Sequence, residues 1–276
     1  MSLRKIIKKI YGKSREYYSR NIDKRFNFEV QLADHCNLNC AGCSHFSPIA
    51  DEHFLDVDTY RKDCERLSEL AGKYVRKISL MGGEPLLHKN IVDIMEITRS
   101  NFKNSIIHIV TNGILLDRME AEFWDACNKN NIIVRITPYP INLNVKKFSE
   151  FAWQYNVNIK TGDDNYKMKF RKDVYDIEGN QDKKKNFKKC GGGCHHLYEG
   201  KFYVCQIPAY IKYFNKYFSK EFEVSTDDYI DIYQKNNAKT IRKFLKKPIP
   251  FCRFCNINAQ SNIKWSVSKK EISEWM

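Results

Sequence analysis

Between residues 26 and 161, extended apolar runs alternate five times with stretches of helical period, and this alternation limits the fold more than any other feature of the chain. Phe26, Phe28, Val30 and Leu32 stand at every second position, as in a strand with one buried face. Val75–Met81, Ser105–Thr111, Ile132–Thr137 and Val157–Thr161 read as further strands. Asp58–Gly72, Asn90–Phe102, Asp117–Asn130 and Val145–Asn156 read as helices, the first capped by Asp58 and ended by Gly72. Repeated strand–helix units fold as parallel strands with right-handed crossovers. The expectation is an α/β protein built on a barrel or partial barrel, with its chemistry at the C-terminal ends of the strands.

The pattern stops near residue 162. Residues 162–189 are polar and Lys-rich without a clean period, and read as a linker or lid. Residues 190–276 are dominated by short strands, glycines and cysteines, which suggests a small metal-stapled module. At the other end, residues 1–25 hold nine basic and two acidic side chains, half of the formal net charge of +14. There Leu3, Ile6, Ile7, Ile10 and Tyr11 follow helical spacing with Lys and Arg opposite. This predicts a helix that either caps the core or lies on an anionic membrane surface. A basic balance favours anionic partners, although a chain rich in Lys, Asn and Ile throughout can be basic without a binding patch. With 13% aromatic residues the chain is not of the disordered class. No apolar run approaches the roughly 18–20 residues of a membrane span, and basic residues interrupt any secretory signal. A cytoplasmic location is expected, either free or membrane-peripheral.

Ten cysteines are too many to be incidental. A secreted disulfide scaffold would be smaller, so clustered cysteines in this chain point to metal ligands or catalytic thiols. Cys64 and Cys127 stand alone on helical stretches and are expected to be buried as small apolar residues. Cys36, Cys40 and Cys43 form a C-x3-C-x2-C loop directly after the first strand. Three thiolates in one tight loop can hold three irons of a cube and leave the fourth open. A structural zinc takes four protein ligands, and His35 and His45 flank the loop, so zinc stays open on this segment alone. The second strand ends in Gly82-Gly83-Glu84-Pro85, whose glycines allow close backbone approach and whose glutamate can accept from an ammonium group. The third ends in Thr111-Asn112-Gly113, polar groups suited to a ribose or carboxylate.

In this order, on successive βα units, the three motifs resemble the radical S-adenosylmethionine (SAM) superfamily over residues 26–161. The resemblance implies a partial (β/α)6 barrel and a [4Fe–4S] cluster on Cys36, Cys40 and Cys43. The open iron would bind the amino and carboxylate groups of SAM, and Gly82–Pro85 would hold its ammonium. Reductive cleavage would yield a 5′-deoxyadenosyl radical that abstracts hydrogen from substrate, with a reduced flavodoxin or ferredoxin as electron donor. One departure stands out. The family commonly has an aromatic before the third cysteine, near the adenine, where this chain has Gly42; Phe46 is the candidate to take that role.

The second cysteine group reads Cys190-x9-Gly200-x4-Cys205, then Cys252-x2-Cys255, with zinc as the plain alternative. It is similar to the auxiliary-cluster modules called SPASM and twitch. A SPASM module carries more cysteines, so the shorter twitch type is expected, with one auxiliary [4Fe–4S] cluster on Cys190, Cys205, Cys252 and Cys255. Cys194 is then a fifth thiol: a ligand in place of Cys190, a spectator, or a catalytic hydrogen-atom donor. Tyr139 and Arg135 are expected toward the rim of the site, and His53, His88, His108, His195 and His196 have no metal-ligand spacing.

By analogy with the twitch type, the substrate is a small-molecule, phosphate-bearing sugar, a nucleotide- or lipid-linked polysaccharide precursor. Hydrogen abstraction from its carbinol carbon would end in epimerisation or oxidation, and the spare thiol favours epimerisation. No nucleic-acid partner is expected on this reading. A peptide maturase is an alternative, though 25 residues before the first strand are few for a leader-binding domain. A zinc-stapled, non-catalytic nucleic-acid-binding protein is another.

Overall fold

The computed structural model describes residues 25–161 and 170–276. The helix expected near the N-terminus lies outside the described residues. In chain order the elements are β1 (Phe26–Gln31), α1 (Val57–Ala71), β2 (Val75–Met81), α2 (Ile91–Asn101), β3 (Ile106–Thr111), α3 (Ala121–Lys129), β4 (Ile132–Ile136), α4 (Val145–Gln154) and β5 (Asn158–Thr161). There follow β6 (Phe170–Lys172), α5 (Lys183–Cys190), β7 (His196–Tyr198), β8 (Lys201–Tyr203), α6 (Ile207–Phe218), β9 (Tyr229–Asp231), α7 (Ala238–Phe244) and β10 (Ser261–Ile263).

The main sheet runs β5-β4-β3-β2-β1-β7-β8-β9. Strands β1 to β5 are all parallel, as the alternation predicts, and β7 continues the parallel set on the far side of β1. β8 and β9 complete it antiparallel. Among the described residues the sheet is open, with β5 and β9 at its edges. The sixth parallel strand is therefore beside β1, while β6 leaves the sheet to pair antiparallel with β10.

Period-two alternation sorts the two faces of β1–β5. Phe28, Val30, Ile78, Leu80, Ile107, Ile109, Val134 and Ile136 are buried in one apolar core with residues of the four crossover helices. Cys64, Met95, Trp124, Cys127 and Phe148 supply the helix side, so both lone cysteines are the core residues expected. Each such side chain contributes about 1.5–3 kcal/mol on burial. The opposite face carries Glu29, Lys77, Ser79, His108, Arg135 and Lys160, interspersed with Ile106, Val110 and Ile133. The cap of α1 is Asp56, two residues before the expected one, because its carboxylate accepts the Thr59 N–H at 2.8 Å.

A second core is almost wholly aromatic. Phe46, Tyr175, Tyr210, Phe214, Phe222, Phe251, Phe254 and Trp275 pack with ring centroids about 5–6.5 Å apart. It joins the loop after β1 to the C-terminal third of the chain. The stretch read as a linker enters it: Tyr175 is buried there, and α5 lies against the 250–254 turn. α5 escaped the periodicity reading because its buried side chain is Asn186, not an apolar residue. The Asn186 amide donates to the carbonyls of Cys252 (3.0 Å) and Cys255. Asp182 caps the helix by accepting from Lys184 and Lys185, and Gly191 closes it in the left-handed region. Among the described residues no helix is long and apolar enough to cross a membrane.

Asp63 links the two halves. From α1 its buried carboxylate accepts the Gly200 N–H at 2.8 Å and the Tyr233 hydroxyl at 2.7 Å. Asp63→Ala leaves both donors without an acceptor, at a cost of about 2–3 kcal/mol. The thermal midpoint is expected to fall by about 4–8 °C; scanning fluorimetry of the two proteins checks it.

Candidate active site

The three motifs meet where β1, β2 and β3 end. Beyond its last ladder pair, β2 continues to zip onto the exit of β1: the Leu32 N–H donates to Met81 O (2.7 Å), Gly83 N–H to Ala33 O (2.7 Å) and Glu84 N–H to His35 O (3.2 Å). Side chains are excluded at this approach. A Cβ on Gly83 would stand 1.9 Å from the His35 carbonyl oxygen, and one on Gly82 would be 2.7 Å from Ala33 O, with Gly82 at φ +134°. The sequence reading assigned the glycines to a close ligand approach. In the structure both also allow the close approach of the chain that carries the cysteine loop.

Glu84 stands at the same junction. It is completely buried, and its carboxylate is occupied by the protein: Oε1 accepts from Thr111 Oγ1 (2.6 Å) and Leu86 N (3.1 Å), Oε2 from Asn112 N (2.9 Å). Burial pushes its pKa up to about 7 while these donors pull it down. Three donors fill three of the roughly four lone-pair positions of a carboxylate, leaving one on Oε2. Thr111 and Asn112 likewise serve this joint, and Pro85 opens the short turn behind it. Asn112 reaches further, donating from Nδ2 to Asn37 Oδ1 (2.8 Å) and lying 3.7 Å from Cys36 Sγ. Hydrogen bonds thus run unbroken from the end of β3 through the end of β2 to the cysteine loop.

Each of the three loop sulfurs is met by N–H donors. Cys36 Sγ accepts from the Leu38 amide at 3.4 Å and Cys40 Sγ from the Trp265 indole at 3.1 Å. Cys43 is faced by the amides of His45, Ser47 and Phe46. Donors aimed at sulfur favour thiolate, yet burial and mutual repulsion push Cys36 up to about 11 and Cys40 up to about 12. A cationic group is what reconciles buried thiolates with that repulsion. Among the described residues no three His, Cys, Asp or Glu side chains converge on a single-ion site. A cube takes one thiolate per iron and accepts wider spacing, so the donor set fits an iron–sulfur cluster on Cys36, Cys40 and Cys43.

The sequence reading missed the C-terminal segment. Ala41 N–H donates to Ser266 O (2.9 Å), Ser268 N–H to Asn39 O (2.8 Å) and Trp275 Nε1 to Cys43 O (2.9 Å), so residues 265–275 wrap the loop. No motif marks this stretch; only Trp265 and Trp275 hint at buried contacts. It also explains Gly42. That residue is at φ +66°, and a Cβ there would be 3.0 Å from the Glu274 carbonyl oxygen. The tail packs on Gly42 where a side chain would begin. Phe46 cannot take over, because it is fully buried among Tyr175, Phe214 and Trp275 and has no face left for a nucleoside. Tyr139 lies beside Cys40 with Trp265 and Phe170 at centroid distances of 6.3 and 6.4 Å.

The second cysteine group is gathered by α5, the β8–α6 junction and the 250–254 turn. Negative charge on any of Cys190, Cys205, Cys252 and Cys255 would be felt by others of the set; with burial as the larger cause, this raises Cys205 well above the thiol range. Cys194 is exposed and lies within electrostatic reach of Glu29, Cys190, Arg171 and Asp173. Solvent reaches it, but the protein walls and Glu29 push its thiol up to about 12. His196 is a core residue bonded to the Tyr210 hydroxyl (2.8 Å), and His195 Nδ1 lies 3.0 Å from Val204 O.

Two outcomes follow from these contacts. Gly83→Ala is expected to retain less than about half of the parent's iron after anaerobic reconstitution, since backbone, not a mobile side chain, blocks the new Cβ; parent-level iron would contradict the close junction. Glu29 concerns pH. Burial raises it to about 7 from 4.5, against the pull of Lys77, so the folded state holds this proton more tightly than the unfolded chain. Its stabilisation is complete below about 4.5 and is lost as pH rises through about 7. Glu29→Gln is expected to match the parent's thermal midpoint near pH 4.5 and to exceed it by about 2–5 °C near pH 8.

Comparison with known proteins agrees with this arrangement. The family model described as "Radical SAM superfamily" matches residues 30–194. Among curated relatives, a GTP 3′,8-cyclase of Synechocystis sp. (strain ATCC 27184 / PCC 6803 / Kazusa) is 32% identical over 145 residues, 51% of this chain and 40% of the relative. A GTP 3′,8-cyclase of Desulforamulus reducens (strain ATCC BAA-1160 / DSM 100696 / MI-1) is 30% identical over 112 residues, 40% of this chain and 33% of the relative. The matched region therefore spans two fifths or less of these relatives' length. Among solved structures, BtrN in complex with AdoMet and 2-DOIA has a TM-score of 0.53 at 18% identity, covering 84% of this chain and 93% of BtrN, which is a likeness of fold. The reading as a non-catalytic zinc protein gives way to an enzyme. With well over half of its residues matched and three N–H-supported sulfurs on one loop, the chain belongs to the radical SAM superfamily, which implies a [4Fe–4S] cluster and SAM.

Proposed function

We propose that this enzyme removes a hydrogen atom from a carbinol carbon of a phosphate-bearing sugar, a nucleotide- or lipid-linked polysaccharide precursor, and that epimerisation is the outcome. Cys194 is the observation that carries the reading: an exposed thiol that its surroundings and nearby Glu29 hold protonated, and that the four-cysteine ligand set leaves over. Residues 190–276 form a twitch-type module whose Cys190, Cys205, Cys252 and Cys255 hold an auxiliary [4Fe–4S] cluster. Their mutual repulsion supports that ligand set, and so does the Tyr175 hydroxyl, buried near Cys255 and Cys205 without a hydrogen-bond partner.

When bound at Cys36, Cys40 and Cys43, the cluster and SAM supply a 5′-deoxyadenosyl radical that takes the substrate hydrogen. The chain's own contribution comes next. Cys194 returns a hydrogen atom to the opposite face of the substrate radical, forming a C–H bond and breaking its S–H bond. The sulfur radical would regain one electron from a reduced flavodoxin or ferredoxin and one proton, for which Glu29 is the neighbouring acid; a cluster held by Cys190, Cys205, Cys252 and Cys255 would supply one-electron chemistry beside it. In the oxidative variant the substrate radical would instead give up one electron to that one-electron centre and one proton to solvent, leaving a ketone, and Cys194 would be idle.

A second reading, action on a purine nucleotide, is favoured by the likeness of half the chain to proteins named GTP 3′,8-cyclase.

Anaerobic reconstitution is expected to give about eight irons per chain, and about four in a Cys252→Ala variant. Incubation with SAM, reductant and candidate sugars in deuterated water is expected to yield a product of unchanged skeleton carrying one solvent deuterium. Cys194→Ala is expected to abolish that product while 5′-deoxyadenosine still forms. Undiminished epimer from this variant removes the donor role, a loss of two mass units makes the reaction an oxidation, and turnover of GTP alone selects the nucleotide reading.

A further inference from the structure

The polar face of the parallel sheet carries more positive charge than its neighbours balance. Arg135 of β4 and Lys160 of β5 are register partners, side by side on strands about 4.8 Å apart. Like charges placed so destabilise a sheet unless something else pays for them. One strand further, His108 of β3 is the register partner of Ile133, with Arg135 two residues beyond. His108 also pairs with Ser79 of β2, and Lys77 lies two residues before that. The same face is thus cationic across β2, β4 and β5, with an imidazole on β3 between them.

Among the described residues, Lys77, Arg135 and Lys160 form no ion pair with a carboxylate. Glu29 is the nearest counter-charge to Lys77, and Asp173 is committed to Arg171 at 3.1 Å. His108 Nδ1 is buried with no hydrogen-bond partner. Burial, then Lys77, Arg135 and Lys160 together, hold the His108 pKa down at about 4, so the imidazole stays neutral and all three cations bear on one point.

We propose that this face is an oxyanion site, in which Lys77, Arg135 and Lys160 hold a phosphate or diphosphate group of the substrate and His108 donates to it from Nδ1. It rests on reading Cys194, which lies within electrostatic reach of Glu29 and Lys77, as facing the substrate. A diphosphate supplies the missing negative charge, accepts bidentate contacts from the Arg135 guanidinium and satisfies the orphaned nitrogen in one step. A neutral sugar or an uncharged peptide segment would leave Arg135 and Lys160 without a carboxylate partner among the described residues.

The test is equilibrium binding of inorganic pyrophosphate to the reconstituted holoenzyme, by calorimetry at low and at physiological salt. Binding that weakens with salt is expected from the parent. Arg135→Gln/Lys160→Gln is expected to bind pyrophosphate at least about tenfold more weakly, a change of about 1.4 kcal/mol, while its SAM affinity stays within about twofold. His108→Gln, which leaves the charge unaltered, is expected to weaken pyrophosphate binding by about threefold. The surface pair Lys103→Gln/Lys129→Gln removes the same charge elsewhere and is expected to match the parent. Absence of pyrophosphate binding by the parent, or equal affinity in Arg135→Gln/Lys160→Gln and the surface pair, overturns the proposal. A parallel loss of SAM affinity also overturns it, by assigning these cations to the cofactor's carboxylate. Because no turnover is read, the result stands apart from whether the substrate is a sugar.

Discussion

The structure of the site depends on one backbone contact, the Gly83 amide on the Ala33 carbonyl. It extends the β1–β2 pairing past the end of the ladder, so that two strand exits leave the sheet as one joined stem. Only there can Glu84 reach both Thr111 and Asn112, and only through Asn112 does the third strand touch Asn37 and Cys36. A loop with three buried, mutually repelling sulfurs is an unfavourable object by itself. Anchored on this stem, its sulfurs keep fixed N–H donors, and the repulsion that remains becomes affinity for a cationic group.

From the other side the loop is held by the far end of the chain. Residues 265–275 hydrogen-bond to Asn39, Ala41 and Cys43, and Trp275 sits in the same aromatic core as Phe46. The Trp265 indole is the donor to Cys40, so a residue more than two hundred positions away helps set the electronic surroundings of the loop. Hydrogen bonds to ligand sulfur are one of the means by which a protein tunes an iron–sulfur centre. Loss of the tail would therefore reach the loop directly, and not only through general stability.

The two faces of the parallel sheet divide the work. One is continuous with the apolar core under α1–α4 and supplies stability. The other keeps Glu29, Lys77, His108 and Arg135 out of that core without satisfying them all. Unsatisfied polar groups cost stability, and a fold retains them where a ligand completes them.

The βα order, the core face of each strand, the buried Cys64 and Cys127 and the family were all legible in the sequence, because period-two and period-3.6 patterns and short motifs are local properties. The roles within the motifs were not. That Gly82, Gly83 and Glu84 also bind the neighbouring strand exits is written in no motif, since what a glycine or a buried carboxylate meets depends on chain brought from elsewhere. The helix Lys183–Cys190 escaped notice because it is anchored by an asparagine amide and not by an apolar stripe. Gly42 looked like a departure and Phe46 like its substitute until the C-terminal segment was seen resting on the loop. The sequence by itself determined which residue types stand at each strand end and which face each strand buries. The tertiary structure decided which of those residues touch, because contacts between strand exits, and between the loop and a tail more than two hundred residues distant, leave no periodic trace in either partner.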